Sequence, residues 1–136
     1  MDSEGAETRR INPWTYQDSW GFSQAIEVTG ANRVLHIAGQ TSVNAQGSPE
    51  HEGDMAAQIM LALDNFETVL GEAGMTISNV VRLDYYTTDM DAFLASFAAL
   101  TGRLKAAKIQ PASTLVGVAR LVLPQLLVEI DGIAVD

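Results

Sequence analysis

Apolar and polar residues change their period several times along the chain, and each change marks an element. Phe22 to Thr29 and Arg33 to Gln40 read as strands. Gly30-Ala31-Asn32 lies between them, where Gly and Asn suit the backbone angles of a tight turn. That close spacing predicts a hairpin. A loop rich in Ser, Asn, Gly and Pro follows from Thr41 to about Gly53. Asp54 then stands as the N-cap of a helix running to about Ala73. Ile59, Leu63, Phe66, Val69, Leu70 and Ala73 share one of its faces, and Gly74 comes where a C-cap takes a left-handed residue. Asn79 to Thr87, rich in β-branched and aromatic residues, predicts a third strand. Asp89 caps a second helix carrying Phe93, Phe97, Leu100 and Leu104, which ends at Ile109-Gln110-Pro111 because proline disfavours a helical residue before it. Ser113 to Ala119 and Leu126 to Val135 close the chain as strands.

The predicted order is β-β-α-β-α-β-β: an α+β sandwich with two helices on one face of a mixed sheet. Residues 1–10, polar and without period, are expected to form a mobile tail, and 11–136 a single domain. The last strand carries a tension. Leu126, Val128, Ile130 and Ala134 point one way, while Leu127, Glu129, Asp131 and Ile133 point the other. If helices cover the first set, the second leaves a face that is neither polar nor apolar throughout. Such a face often pairs with another subunit, so an oligomer is expected.

Composition narrows the function. Hydrophobic residues make up 47% and charged ones 18% of 136, a globular mixture rather than a disordered one. Seventeen acids against eight bases leave a net charge of -9, which repels phosphate backbones unless the cations cluster. They are scattered. Arg103, Lys105 and Lys108 form the one local group, at a helix end where cations usually answer the last carbonyls. Nucleic-acid binding is therefore disfavoured. Without cysteine, disulfides, thiolate nucleophiles and cysteine zinc sites drop out. No run approaches the roughly 20 apolar residues of a membrane helix, and the N-terminus lacks a secretory core, so a cytoplasmic location is the default expectation.

General catalytic motifs are scarce. There is no phosphate-binding loop or dinucleotide fingerprint. His36, within a strand, and His51, in a loop, lack matched ligand spacing, so no metal site is expected. Capping and solvation account for Asp89 and Asp91. The informative segments are dispersed: Gly21-Phe22-Ser23-Gln24-Ala25, Ala38-Gly39-Gln40, Ala57-Gln58, Leu63-Asp64-Asn65-Phe66 and Ala73-Gly74. To these the C-terminal part adds Pro111-Ala112-Ser113-Thr114-Leu115-Val116-Gly117-Val118-Ala119-Arg120-Leu121 and Val128-Glu129-Ile130-Asp131-Gly132-Ile133-Ala134. In order and spacing, from about Asn12 onward, the set resembles the Rid (YjgF) family of reactive-intermediate deaminases.

The resemblance implies a chorismate-mutase-like fold, a homotrimer, and a small-molecule cleft at each subunit interface. Deaminating members hydrolyse 2-imino or enamine acids to 2-keto acids and ammonia without a cofactor. An arginine grips the substrate carboxylate through a bidentate pair, and a glutamate near the C-terminus holds the attacking water. Carried over by position, the glutamate is Glu129, although Val122 to Leu126 runs one residue longer than the common pattern. The close-approach glycine is Gly39. The arginine expected two residues after Pro111 is Ser113. Phe22 stands in place of a tyrosine, Phe97 in place of an asparagine, and Leu115 in place of a frequent cysteine. Together these exchanges turn a carboxylate-binding cleft into a mostly apolar one.

The arginine decides between substrates. A charge-assisted pair is worth about 1.5–3 kcal/mol, so its loss costs about ten- to a hundredfold in binding. Arg120 matches a family arginine that is not the clamp, and Arg82 offers another direction. Two functions stay open: a hydrolase of a neutral or bulkier imine or enamine, using Glu129, and a non-catalytic trimeric binding or regulatory protein. A ribonuclease, attributed to some relatives, ranks last for want of a basic groove.

Overall fold

In a computed structural model, described for residues 5–136, six strands and three helices account for the apolar pattern. They are β1 (Glu7–Ile11), β2 (Ala25–Thr29), β3 (Val34–Gln40), α1 (Met55–Glu72), β4 (Val80–Thr87), α2 (Met90–Ala95), α3 (Phe97–Ala106), β5 (Ala112–Gly117) and β6 (Val128–Val135). The main sheet runs β3-β6-β4-β5. It is mixed, because β4 and β5 are parallel while the other pairs are antiparallel.

Local chemistry sets the helix ends as expected. The Asp54 carboxylate accepts from the Ala57 N–H at 3.0 Å and that of Asp89 from Ala92 at 3.0 Å. Gly74, at φ 76°, continues past α1 in the left-handed region. Ile59, Leu63, Phe66 and Leu70 of α1 are fully buried, with Leu83 of β4 and Val128 and Ile130 of β6. Burying each such side chain contributes about 1.5–3 kcal/mol. Packing here is tight: a β-carbon on Gly132 would stand 2.3 Å from the Arg82 carbonyl oxygen and 2.9 Å from the Phe66 ring. Both long helical patterns thus cover one face of the sheet.

Three expectations are corrected. Glu7 to Arg10, assigned to the tail, belong to the strand Glu7–Ile11, which is antiparallel to β2, with Arg9 paired to Glu27 at 3.1 Å. Its side chains are almost all exposed, so it carries no periodic signal. Of the remainder of that expected tail, residues 1–4 lie outside the described residues, and Gly5 and Ala6 lead into the strand. The β2–β3 hairpin does not form. β2 pairs with β1, whereas β3 pairs with β6, and the backbone of Arg33 exchanges hydrogen bonds with Asp136. The second long helix is broken at Ser96 into α2 and α3. The Ser96 N–H is shared between the Ala92 and Phe93 carbonyls, both at 3.1 Å.

Polar side chains tie the loops down. Gln58, fully buried on α1, donates to the carbonyls of His51 (3.2 Å) and Gln125 (2.9 Å) and accepts from Leu127 N–H at 2.8 Å. Asn65 donates to the carbonyls of Thr41 and Val43. Arg103 does more than face a helix end: it bridges α3 to α1 through Asp64 at 2.8 Å and through Glu67. No helix among the described residues is long and apolar enough to cross a membrane.

Candidate functional site

The alternation of β4, β5 and β6 distributes the candidate residues between two places. Ser113 is the register partner of Leu83, and Leu115 that of Tyr85, so both face the helix-covered side. Glu129 pairs with Tyr86 and Asp131 with Asp84, so both acids face the uncovered side.

On the covered side, at the β5 edge, Phe22, Phe97, Ser113 and Leu115 line one cavity of about 280 Å³, joined by Trp20, Gly21 and Tyr85. A short 3-10 turn, Tyr16–Trp20, delivers Trp20, and Gly21 at φ 80° reverses the chain so that Phe22 follows it into the wall. A substituent on Gly21 would meet the Thr101 methyl at 3.3 Å, so the turn rests against α3. Trp20 meets Phe97 edge-on with centroids 6.2 Å apart, and Phe93 sits 5.9 Å from both Phe97 and Tyr85. Its lining residues include two hydroxyls, those of Ser113 and Tyr85. That of Ser113 donates to its own chain's Pro111 carbonyl at 3.2 Å. The Tyr85 phenol is pushed above its ordinary range by burial, against the opposing effect of a hydrogen bond with Ser113.

On the uncovered side, Glu129 lies against β3 where the β3–β6 register shifts between Ile37 and Gln40. A β-carbon on Gly39 would stand 1.8 Å from Glu129 Oε2; only glycine leaves room for the carboxylate in this position. The Glu129 carboxylate makes no hydrogen bond or ion pair among the described residues, and burial, reinforced by the charge of Asp131, raises its pKa. Asp131 is raised as well, first by burial. Tyr86, donating to its Oδ2 at 2.8 Å, opposes that shift, while Asp84 directly across adds to it. In turn the Tyr86 phenol is pushed up to about 12, foremost by this bond.

Arg82 donates from Nε to Asp84 Oδ2 at 3.1 Å and from Nη2 to Thr114 at 2.9 Å. Nη2 also stands 3.0 Å from Asp84 Oδ1 but is aimed at Thr114, which leaves that buried oxygen without an aligned donor. Arg120 lies in the loop before β6 and donates to the Leu121 carbonyl. Neither arginine lines the Ser113 cavity. His36 is exposed on β3, and no cluster of metal-ligating side chains occurs among the described residues.

The Endoribonuclease L-PSP profile matches residues 17–136. The chain belongs to this family, the Rid/YjgF proteins. A RutC family protein of Aquifex aeolicus is 33% identical over 114 residues, covering 84% of this chain and 87% of its own length. A second, from Synechocystis, is 37% identical over 115 residues, covering 84% and 85%. Among solved structures, YyfB of Yersinia pestis, a Rid protein of unknown function, superposes with a TM-score of 0.85 at 39% identity, over 94% of this chain and 98% of its own. YjgF of Escherichia coli superposes at 0.67 with 28% identity, over 84% and 87%. The fold is therefore the chorismate-mutase-like fold of Rid proteins.

Within one Rid chain, then, six sequence candidates form two groups: Phe22, Phe97, Ser113 and Leu115 around the cavity, and Gly39 with Glu129 across the sheet. Sequence reasoning missed Trp20 and Tyr85. Tyr85 was visible as a strand residue of unassigned role, but Trp20 sits in an irregular turn where periodicity gives no signal.

Proposed function

We propose that this Rid protein hydrolyses the C=N bond of a neutral imine, or of the imine tautomer of a neutral enamine, rather than a standard 2-imino acid. One observation carries the proposal: the Glu129 carboxylate is seated against Gly39, unpaired and with a raised pKa. A carboxylate held in this way is a better base near neutral pH than an exposed one and has its lone pairs free for water. Glu129 takes one proton from water while the water oxygen bonds to the imine carbon and the C=N π electrons move to nitrogen. Nitrogen acquires that proton. The resulting carbinolamine transfers its hydroxyl proton to nitrogen, expels ammonia and becomes a carbonyl. Atoms and electrons balance without a cofactor.

Because Glu129 and the Ser113 cavity occupy opposite sheet faces of one chain, the cleft belongs between subunits. Family membership supports a homotrimer in which one copy's Glu129 meets a neighbour's cavity. Ser113, standing where relatives of the deaminating type hold an arginine, disfavours a carboxylate-bearing substrate. The ribonuclease reading finds little support in charge: Arg9, Arg33, Arg82 and Arg103 are all paired with acids, which leaves Arg10, Lys105 and Lys108 around one hollow.

The test is imine hydrolysis with semicarbazide as a competing trap, run on wild type, Glu129→Gln and Ser113→Arg, with sedimentation to read the assembly. Wild type is expected to turn over neutral imines and Glu129→Gln to lose about 10²-fold or more. Ser113→Arg is expected to gain 2-imino acid turnover. Saturable binding without turnover across a broad panel would replace the hydrolase with a non-catalytic binding protein.

A further inference from the structure

We infer that the group seated in the Ser113 cavity is an uncharged aromatic ring, so that the cleft selects aromatic imines or enamines. The imine rests on the hydrolase proposal; the ring rests on the cavity alone.

Four rings, those of Trp20, Phe22, Tyr85 and Phe97, with Leu115, make the wall of a cavity of about 280 Å³. That is near the lower end of small-molecule pockets, about 300–1,000 Å³, and suits one ring with a short tail. The rings are placed before any ligand arrives. Trp20 contacts Phe97 edge-on, Phe97 contacts Phe93, and Phe93 is fully buried against Tyr85, so the wall is continuous with the core. Gly21, pressed on Thr101, fixes the turn that presents Trp20 and Phe22. Trp20 nevertheless stays 50% exposed, a large apolar surface that an incoming ring would cover edge-to-face or offset-stacked.

Charge within the chain disfavours the alternative of an anionic group. Among the described residues of the same chain, no Lys, Arg, His, Asp or Glu lines the cavity. Arg82 is committed to Asp84 and Thr114 on the other sheet face. Arg10, Lys105 and Lys108 surround a separate hollow on the far side of Gly21. The Ser113 hydroxyl is engaged within its own chain, with the Pro111 carbonyl at 3.2 Å and with the Tyr85 phenol, and carries no charge to answer an anion. Neutral donors and acceptors such as these suit an amide or imine N–H, whereas a carboxylate is best answered by a charged partner.

Binding to the intact protein, read by titration calorimetry, tests this with three stable probes: phenylacetamide, isovaleramide and phenylacetate. Phenylacetamide is expected to bind at least about tenfold more tightly than isovaleramide, Trp20→Ala to lose about tenfold, and Trp20→Phe to keep most of the affinity. Equal binding of isovaleramide, or no effect of Trp20→Ala, would overturn the ring. Tightest binding of phenylacetate would overturn its being uncharged. Turnover separates the two proposals. Amide binding with no imine hydrolysed leaves the ring site standing without the hydrolase. Equal kcat/KM for aliphatic and aromatic imines leaves the hydrolase standing without the ring site.

Discussion

The two faces of the main sheet obey different rules although the same strands build both. Toward the helices, Leu83, Val128, Ile130 and Ala134 meet Ile59, Leu63 and Phe66 in a layer with almost no exposed surface. Toward the other side the same β4 and β6 present Arg82, Asp84, Tyr86, Glu129 and Asp131, half-buried and electrostatically crossed. The covered face is a volume problem, where any residue of the right size and polarity serves. The uncovered face is a charge problem, where an acid is held at a raised pKa by its neighbours. Stability should therefore be concentrated on the first face and chemistry on the second.

Substitution on each face can break that division. Phe66→Ala empties the centre of the covered layer and is expected to cost about 3–5 kcal/mol, read by denaturant or thermal unfolding. A cost below about 1 kcal/mol would mean that the layer is not what holds the fold together. Gly39→Ala should do the reverse. The new methyl meets the far end of a flexible side chain, which can swing aside, so stability is expected to change by no more than about 1 kcal/mol. Imine turnover should fall by at least about tenfold as the Glu129 carboxylate leaves its seat. Unchanged turnover would separate that seat from the chemistry.

The smallest effect is a pH dependence on the uncovered face. Because the folded-state pKa of Asp131 is raised, the native state holds its proton to higher pH than the unfolded chain does. Its contribution to stability therefore falls as pH rises from the ordinary carboxylate range through the raised value. Asp131→Asn, neutral throughout, is expected to have a higher Tm than wild type at pH 7, and the gap should close below the ordinary carboxylate range. A lower Tm at pH 7 would show the acid to be held favourably.

The same division explains what the sequence made legible. α1, β4 and β6 bury one side against the core, and that burial writes a helical or two-residue period into the chain. β1 buries almost nothing and left no such trace. The break at Ser96 escaped because Phe93, Phe97, Leu100 and Leu104 keep helical spacing across it. For the site, family resemblance located residues that periodicity could not, among them Ser113 and Phe22. That Glu129 and Ser113 stand on opposite sides of the sheet follows from strand register. Pairing, not spacing along the chain, determines it.

The contact between Gly39 and Glu129 also constrains the order in which this protein can change. The two positions are linked through that seat: a side chain at 39 pushes the carboxylate at 129 aside, and the acid keeps its seat only with a glycine opposite. A lineage that shortens residue 129 first releases position 39 to drift at little cost. One that alters position 39 first displaces a carboxylate that is still present. Loss of the acid is thus the permissive step, and a glycine kept opposite a surviving glutamate records a path not yet taken.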